Sequence, residues 1–377
     1  MQAALYRQKQ ELNYSGFKMR YSVVILLVLF SSGEIMAQAP TPVITHKPVH
    51  DTIKTIKETP EQSAKVAYNK GLSNFLNKQY DSALANFNRA IAGAHKFEPA
   101  YLARANTRLR EKDYTNAAND YQTTLKLDSN DEKAWYGLGQ AEIILGKDSQ
   151  AMLAFNHFVK KNSASGDAWY CLGELQARAK NYKDALTDFT LAIGSKPNFP
   201  EAYNDRGVCN YELGNYHAAI DDYRQSIAFA KTAATYNNLG NAESKSGNND
   251  EAIMAFSTAI TIDPKYTSEY NNRGIEYLNK KSDTNALNDF NEAIQLDSTN
   301  TDAYCNRALV EYHMNNMDKA KADCDKAIKL NPQYGIAYLD RGIIEEMMRK
   351  AKAACTNWQK AAEYGIVVAN DYTKDCK

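Results

Sequence analysis

Large and small apolar positions recur in this chain every 34 residues from about residue 64 onward. Within each unit they return at i, i+3 and i+4, the spacing of one stripe on an α-helix. Two registers show it plainly. Trp135-x2-Leu138-Gly139 is followed by Ala151, Phe155 and Phe158, and Trp169-x2-Leu172-Gly173 by Ala185, Phe189, Ala192 and Pro197. The same frame returns around Gly71, Ala105, Gly207, Gly240, Gly274, Ala308 and Gly342, which makes nine units. In the second half of each unit a small residue and an aromatic stand four apart, again on one stripe. Antiparallel packing of the two halves sets that aromatic beside the Gly or Ala of the first.

Polar punctuation separates the stripes. Lys78-Gln79, Lys112-Asp113, Gly146-Lys147, Gly214-Asn215, Gly247-Asn248 and Asn315-Asn316 lie between the halves. Gly and Asn tolerate a left-handed backbone at a helix C-terminus. Asp263-Pro264 and Asn331-Pro332 end second helices. Each unit therefore reads as helix, tight turn, helix, turn. One such hairpin cannot bury both its faces, so neighbours must stack and the ends need caps. The fifth unit runs only 33 residues, from Gly207 to Gly240, which predicts a tighter exit turn.

This pattern of a large residue, Leu-Gly, Ala-x3-Phe and a late Pro resembles the tetratricopeptide repeat (TPR) family. The resemblance implies an all-α, right-handed α-solenoid of about nine helix-turn-helix units over residues 61–365. It also implies a non-catalytic binding role, with partners held on a concave face lined by the first helices. Beyond the array, Ile366, Ala369, Tyr372 and Cys376 share one helical stripe, which predicts a C-terminal capping helix over 366–377.

The N-terminus carries no such period. Lys18 and Arg20 precede an apolar run from Tyr21 to Phe30, then a polar stretch ending Ile35-Met36-Ala37-Gln38. That order reads as a secretory signal peptide over 1–37, cut after Ala37. The apolar run is shorter than the roughly 20 residues of a spanning helix. The expected location is the periplasm or outside the cell, with an uncleaved inner-membrane anchor as the alternative. The position of Met19 beside the basic residues makes it a candidate translation start. Residues 38–60 hold four of the nine prolines and read as a disordered Pro/Thr-rich linker. Within it, His46 and His50 are two ligands short of a metal site, and they read instead as part of a solvated tether.

Composition narrows the function. Lys plus Arg equal Asp plus Glu at 45 each, and loss of residues 1–37 removes four bases and two acids. A mature chain near neutrality has no global field for nucleic acid or an anionic membrane surface. Stable membrane insertion after signal cleavage is not expected. The other His residues (His95, His157, His217, His313) fall in separate units, and no phosphate loop, nucleophile elbow or His-Glu-x-x-His occurs. No catalytic residue, metal or cofactor is expected.

An exported chain makes its six cysteines a redox question. Cys355, on the last second helix, and Cys376, at the end of the cap, are candidates for a disulfide; the alternative is two separate thiols. Cys324 stands at a second-helix aromatic position and reads as core. Cys171, Cys209 and Cys305 lie on different first helices and are expected to stay unpaired.

Within the resemblance, the fifth, sixth and ninth residues of a unit face the groove. There the chain places Asn204, Asp205, Asn237, Asn238, Asn241, Asn271, Asn272, Asn306 and Asp340, with Asn69 at the equivalent place in the first unit. A row of carboxamides offers donors and acceptors that suit the backbone of an extended peptide. The same side chains also suit tying neighbouring helices together. Units two to four present Leu102, Ala103, Tyr136, Gly137, Tyr170 and Cys171 instead, a more apolar surface for an anchor or for the linker. Arg206, Arg273, Arg307 and Arg341, at the seventh position, read as structural partners of acids such as Asp222, Asp289 and Asp323. The expected function is a protein-interaction scaffold of the cell envelope that holds an extended peptide. The alternatives are a structural part of an envelope assembly bound by its outer face, and a carrier of glycan or another small ligand.

Overall fold

The computed structural model describes residues 59–374 and Cys376. The expected signal peptide, Met19, and all of the expected linker except its last two residues lie outside them. Thr59 and Pro60 already belong to the first helix. The Thr59 side chain caps the helix, Gln62 reaches back to the Thr59 N–H, and Pro60 opens the first turn.

The nineteen helices of the described residues form nine hairpins and a short terminal helix, in two compact units. The N-terminal unit, up to Pro197, contains α1 (Pro60–Leu76), α2 (Tyr80–Gly93), α3 (Glu98–Arg110), α4 (Tyr114–Leu127), α5 (Glu132–Ile144), α6 (Asp148–Val159), α7 (Gly166–Arg178) and α8 (Tyr182–Ser195). The C-terminal unit begins with α9 (Pro200–Glu212), α10 (Tyr216–Phe229), α11 (Ala233–Lys245) and α12 (Asn249–Ile262). It continues with α13 (Thr267–Asn279), α14 (Asp283–Leu296), α15 (Thr301–His313), α16 (Met317–Leu330), α17 (Gly335–Met347), α18 (Ala351–Glu363) and α19 (Ala369–Thr373). No helix among the described residues is long and apolar enough to cross a membrane.

Each hairpin closes through one left-handed residue. These are Lys78, Lys112, Gly146, Lys180, Gly214, Gly247, Lys281, Asn315 and Arg349, with φ between 58° and 82°. Five of them are Lys or Arg, residues that pay a steric penalty there which glycine avoids. The shortened fifth unit shows itself at its exit, where α10 and α11 are joined by 230–232 alone.

Inside every hairpin but the eighth a second-helix ring lies on a small first-helix residue sixteen positions earlier. A Cβ added to Gly240 would stand 2.6 Å from Phe256 Cε1, so this approach requires glycine. Phe87, Phe155, Phe189, Tyr223 and Phe290 occupy the same place, and Cys324 and Trp358 stand there in the last two hairpins, all buried.

First helices also touch their counterparts in the next hairpin (α1 with α3, α3 with α5, α9 with α11, α11 with α13, α13 with α15, α15 with α17), while second helices do not pack on one another to this extent. Within each unit the first helices therefore line the inner side of the stack.

The terminal helix is shorter than the predicted cap and spans only five residues. Gly365, at φ 86°, breaks the chain after α18, and the segment from Ile366 folds back in turns. The predicted apolar stripe still packs. Ile366, Val368, Ala369, Tyr372 and Cys376 lie against Trp358 and Ala361 of the last hairpin.

Candidate functional site

The inner face of the C-terminal unit holds most of the sequence-selected amides, and the structure divides them in two. Asn204, Asp205, Asn237 and Asn238 are half-buried. Asn241, Asn271, Asn272, Asn306 and Asp340 are buried. Display of all of them to a groove does not occur, since this second set is closed off from solvent. In the N-terminal unit Asn69 is exposed on α1.

The amides bond across helices at repeat spacing. Asn238 Nδ2 donates to Asn204 Oδ1 at 3.2 Å, and Asn306 Nδ2 to Asn271 Oδ1 at 2.9 Å. Asn272 Nδ2 donates to Asn241 Oδ1 at 3.1 Å and lies 3.5 Å from Asn237 Oδ1. Asn204 Nδ2 also donates to Asp205 Oδ1 at 2.9 Å. The row thus forms a ladder that holds α9, α11, α13 and α15 in register. Asn272 Oδ1, buried, has no hydrogen-bond partner.

A second ladder runs beside it. Arg104, Arg206, Arg273 and Arg307 each grip the Asp sixteen residues later (Asp120, Asp222, Asp289, Asp323) with Nε and Nη2. The remaining Nη1 of Arg104, Arg273 and Arg307 donates backwards, to Asn88, Ser257 and Asn291. Each of these arginines therefore joins its own second helix to the preceding one. Each guanidinium also lies over the Tyr three residues before it. Arg341 keeps the scheme with Asn357 ahead and Asp325 behind. In the fourth hairpin Leu172 replaces the arginine, and Asp188 stands at the acid's place. Burial, helped by Asp184, raises its carboxyl to about 6.

The smaller, more apolar surface expected of units two to four is only partly open. Tyr136, Gly137 and Tyr170 are buried, whereas Leu102, Ala103 and Cys171 are half-buried. Trp135 and Trp169 donate their ring N–H to the carbonyls of Ser129 and Ser163, holding the turns before their helices.

Cys324 and Cys305 are buried. The Cys355 and Cys376 sulfurs lie at bonding distance with their Cα atoms 5.6 Å apart, within the span of a disulfide. No group of three or more His, Cys, Asp or Glu among the described residues is arranged to hold a metal.

Sequence reasoning missed the buried acids that anchor the turns. Asn248 Nδ2 donates to Glu243 and Asn316 Nδ2 to Glu311, each five residues back, at 2.7 Å. The recurring Glu-x4-Asn spacing was the available signal.

Comparison with known proteins agrees with this architecture. Family profiles described as "Tetratricopeptide repeat" match residues 102–160, 150–200, 181–234, 233–266 and 301–334. The chain is 27% identical over 161 residues to Tetratricopeptide repeat protein 6 of Homo sapiens, covering 42% of this chain and 31% of that one. It is 32% identical over 87 residues to Small glutamine-rich tetratricopeptide repeat-containing protein 2 of Mycosarcoma maydis, covering 23% of this chain and 25% of that one. The chain thus spans a third or less of these relatives. Among solved structures, an APC/C hetero-tetramer, Cut9–Hcn1, is similar with a TM-score of 0.50 and 13% identity, over 86% of this chain and 78% of that one. That likeness is one of fold.

Proposed function

This chain belongs to the tetratricopeptide repeat family, whose members generally serve as non-catalytic protein-interaction scaffolds, and we propose that it holds an extended peptide segment of a partner protein along the inner face of its C-terminal unit. The observation that carries this reading is the amide ladder on successive first helices. Asn204, Asn237 and Asn238, the half-buried members, meet the peptide backbone, which offers donors and acceptors at every residue. The buried members keep the helices at the spacing this needs. The setting of the proposal is the cell envelope, reached by the signal peptide read at residues 1–37.

A photo-crosslinking residue placed at Asn238 in envelope-expressed protein, with Asp221 on the second helix α10 as comparison, tests the face. Cross-links to one partner segment from position 238 are expected. Cross-links confined to position 221 would move the function to the outer surface. Cell fractionation of a tagged chain, with mass measurement of its N-terminus, tests export and the cut after Ala37.

A further inference from the structure

The seventh residue of a unit and the residue sixteen positions later change together along the chain. Arg104, Arg206, Arg273 and Arg307 are each matched with an aspartate. Leu138 and Leu239, in the third and sixth hairpins, are matched with Ala154 and Ala255. Lys70 and Arg341, in the first and last, are matched with Asn86 and Asn357. The fourth hairpin breaks the rule, because Leu172 is matched with Asp188.

The rest of a guanidinium socket is nonetheless built there. In the second and eighth hairpins the guanidinium is held on three sides. The acid ahead lies on its own second helix, an amide oxygen of Asn88 or Asn291 lies on the preceding one, and a Tyr ring lies one turn earlier. The fourth hairpin fills the same three positions with Asp188 on α8, Asn156 on α6 and Trp169 on α7. Tryptophan is the aromatic side chain that holds cations best. What differs is the seventh residue. Leucine ends at Cδ, where arginine continues through Nε to its guanidinium, and Leu172 is buried in the apolar cluster of the third and fourth hairpins.

Asp188 itself is half-buried, and Asn156 is exposed. No hydrogen bond or ion pair from another described residue reaches the Asp188 carboxyl, on which burial and Asp184 act in the same direction. Alanine at this position would give the leucine–alanine pair of the third hairpin. A carboxyl drawn partly out of water without a counter-charge costs stability instead. Local rules broken at such a cost are expected at functional sites.

We propose that the surface over Leu172, between α6 and α8, docks an arginine side chain of a partner protein, whose guanidinium takes the place that this chain's own arginines take in other hairpins. Its Nε and one Nη meet the two oxygens of Asp188, and the other Nη meets Asn156 Oδ1, as Arg104 and Arg307 do with their own partners. Arginine fits and lysine does not, because only a planar fork reaches both the acid and the amide. The site lies on the second-helix side of the N-terminal unit and stands independently of peptide binding on the inner face.

Panning a random 12-residue peptide library on the full chain tests it, with binders to Leu172→Arg subtracted. That change supplies the guanidinium from within, and should both raise the thermal midpoint and block the site. Asp188→Ala, which removes the acid and remakes an apolar pair, serves for the same subtraction if Leu172→Arg does not fold. Peptides retained by wild type alone should share an arginine. They should weaken about tenfold when citrulline, its uncharged isostere, replaces that arginine, and as much on Asp188→Ala. They should bind Asn238→Ala, changed on the inner face, as they bind wild type. Failure of any peptide to distinguish wild type from the variants would overturn the proposal. Selected peptides that lack arginine or tolerate citrulline would do so as well. Peptides weakened by Asn238→Ala and not by Asp188→Ala would return all binding to the inner face.

Discussion

Arg273 and Asp289, sixteen residues apart, meet through two parallel hydrogen bonds, Nε to Oδ2 at 2.8 Å and Nη2 to Oδ1 at 2.7 Å. Burial pushes the Asp289 carboxyl up more than Arg273 pulls it down. Desolvation of this pair therefore rivals its attraction, and removing one partner should hurt far more than removing both. Arg273→Ala is expected to cost about 2–3 kcal/mol in urea unfolding. The double change Arg273→Met/Asp289→Leu should recover most of that loss. Equal losses in the single and double variants would contradict this account.

The left-handed turns offer a gain. Lys180 and Lys281 sit at φ 61° and 58°, where a Cβ is strained. Replacing either by Gly should raise the unfolding midpoint by roughly 0.5–1 kcal/mol equivalent, even though glycine also loosens the unfolded chain. Gly247→Ala, at φ 82°, should move the midpoint the other way by about 1 kcal/mol.

Two buried tyrosines at equivalent positions should respond with opposite signs. Tyr223 Oη is fully buried without a hydrogen-bond partner, and burial raises its hydroxyl far above the ordinary range. Tyr223→Phe should stabilise the chain by about 1 kcal/mol. Tyr121 Oη donates to Asn106 Oδ1 at 2.7 Å, so Tyr121→Phe should destabilise by about 1 kcal/mol. Thermal denaturation of both variants in one buffer checks the pair.

The carboxyl of Glu98 is raised to about 7 by burial first and by Asp131 and Asp128 next. The native state then holds a proton that the unfolded chain releases near the ordinary value of 4.5. Stability from this group is full below pH 4.5 and falls as pH rises through about 7. Glu98→Gln should flatten that part of the pH–stability curve and leave the variant the more stable at pH 8. A wild-type curve rising over this window, with the variant unchanged, would refute the assignment.

Bonded sulfurs at Cys355 and Cys376 would close a loop of about twenty residues around the terminal segment. Peptide mapping of non-reduced protein purified from the envelope should find 355 and 376 linked, with Cys171, Cys209, Cys305 and Cys324 as thiols. Cys376→Ser should loosen the packing of Ile366 and Tyr372 on Trp358, read as faster amide exchange after Tyr364. Loops of this size gain about 3 kcal/mol from closure.

The repeat, its hairpins and the aromatic-on-glycine contacts were legible because helical periodicity is a local property, copied nine times. The arginine–aspartate pairs were legible for the same reason, since a fixed offset of sixteen residues spans two packed helices. The cap was half legible. Its apolar stripe packs as read, but Gly365 and the turns after it stop the helix from filling 366–377. The left-handed lysines were not marked, because nothing in a lysine announces a positive φ; only the repeat position does.

By itself, the sequence determined the architecture: hairpin units, their stacking order, the tight exit of the fifth, and the candidate face. Only the tertiary structure decided which amides remain open. Asn237 and Asn271 occupy equivalent positions in their helices, yet the first is half-buried and the second fully buried. Exposure at such a position depends on the neighbouring helix, which the repeat pattern does not encode.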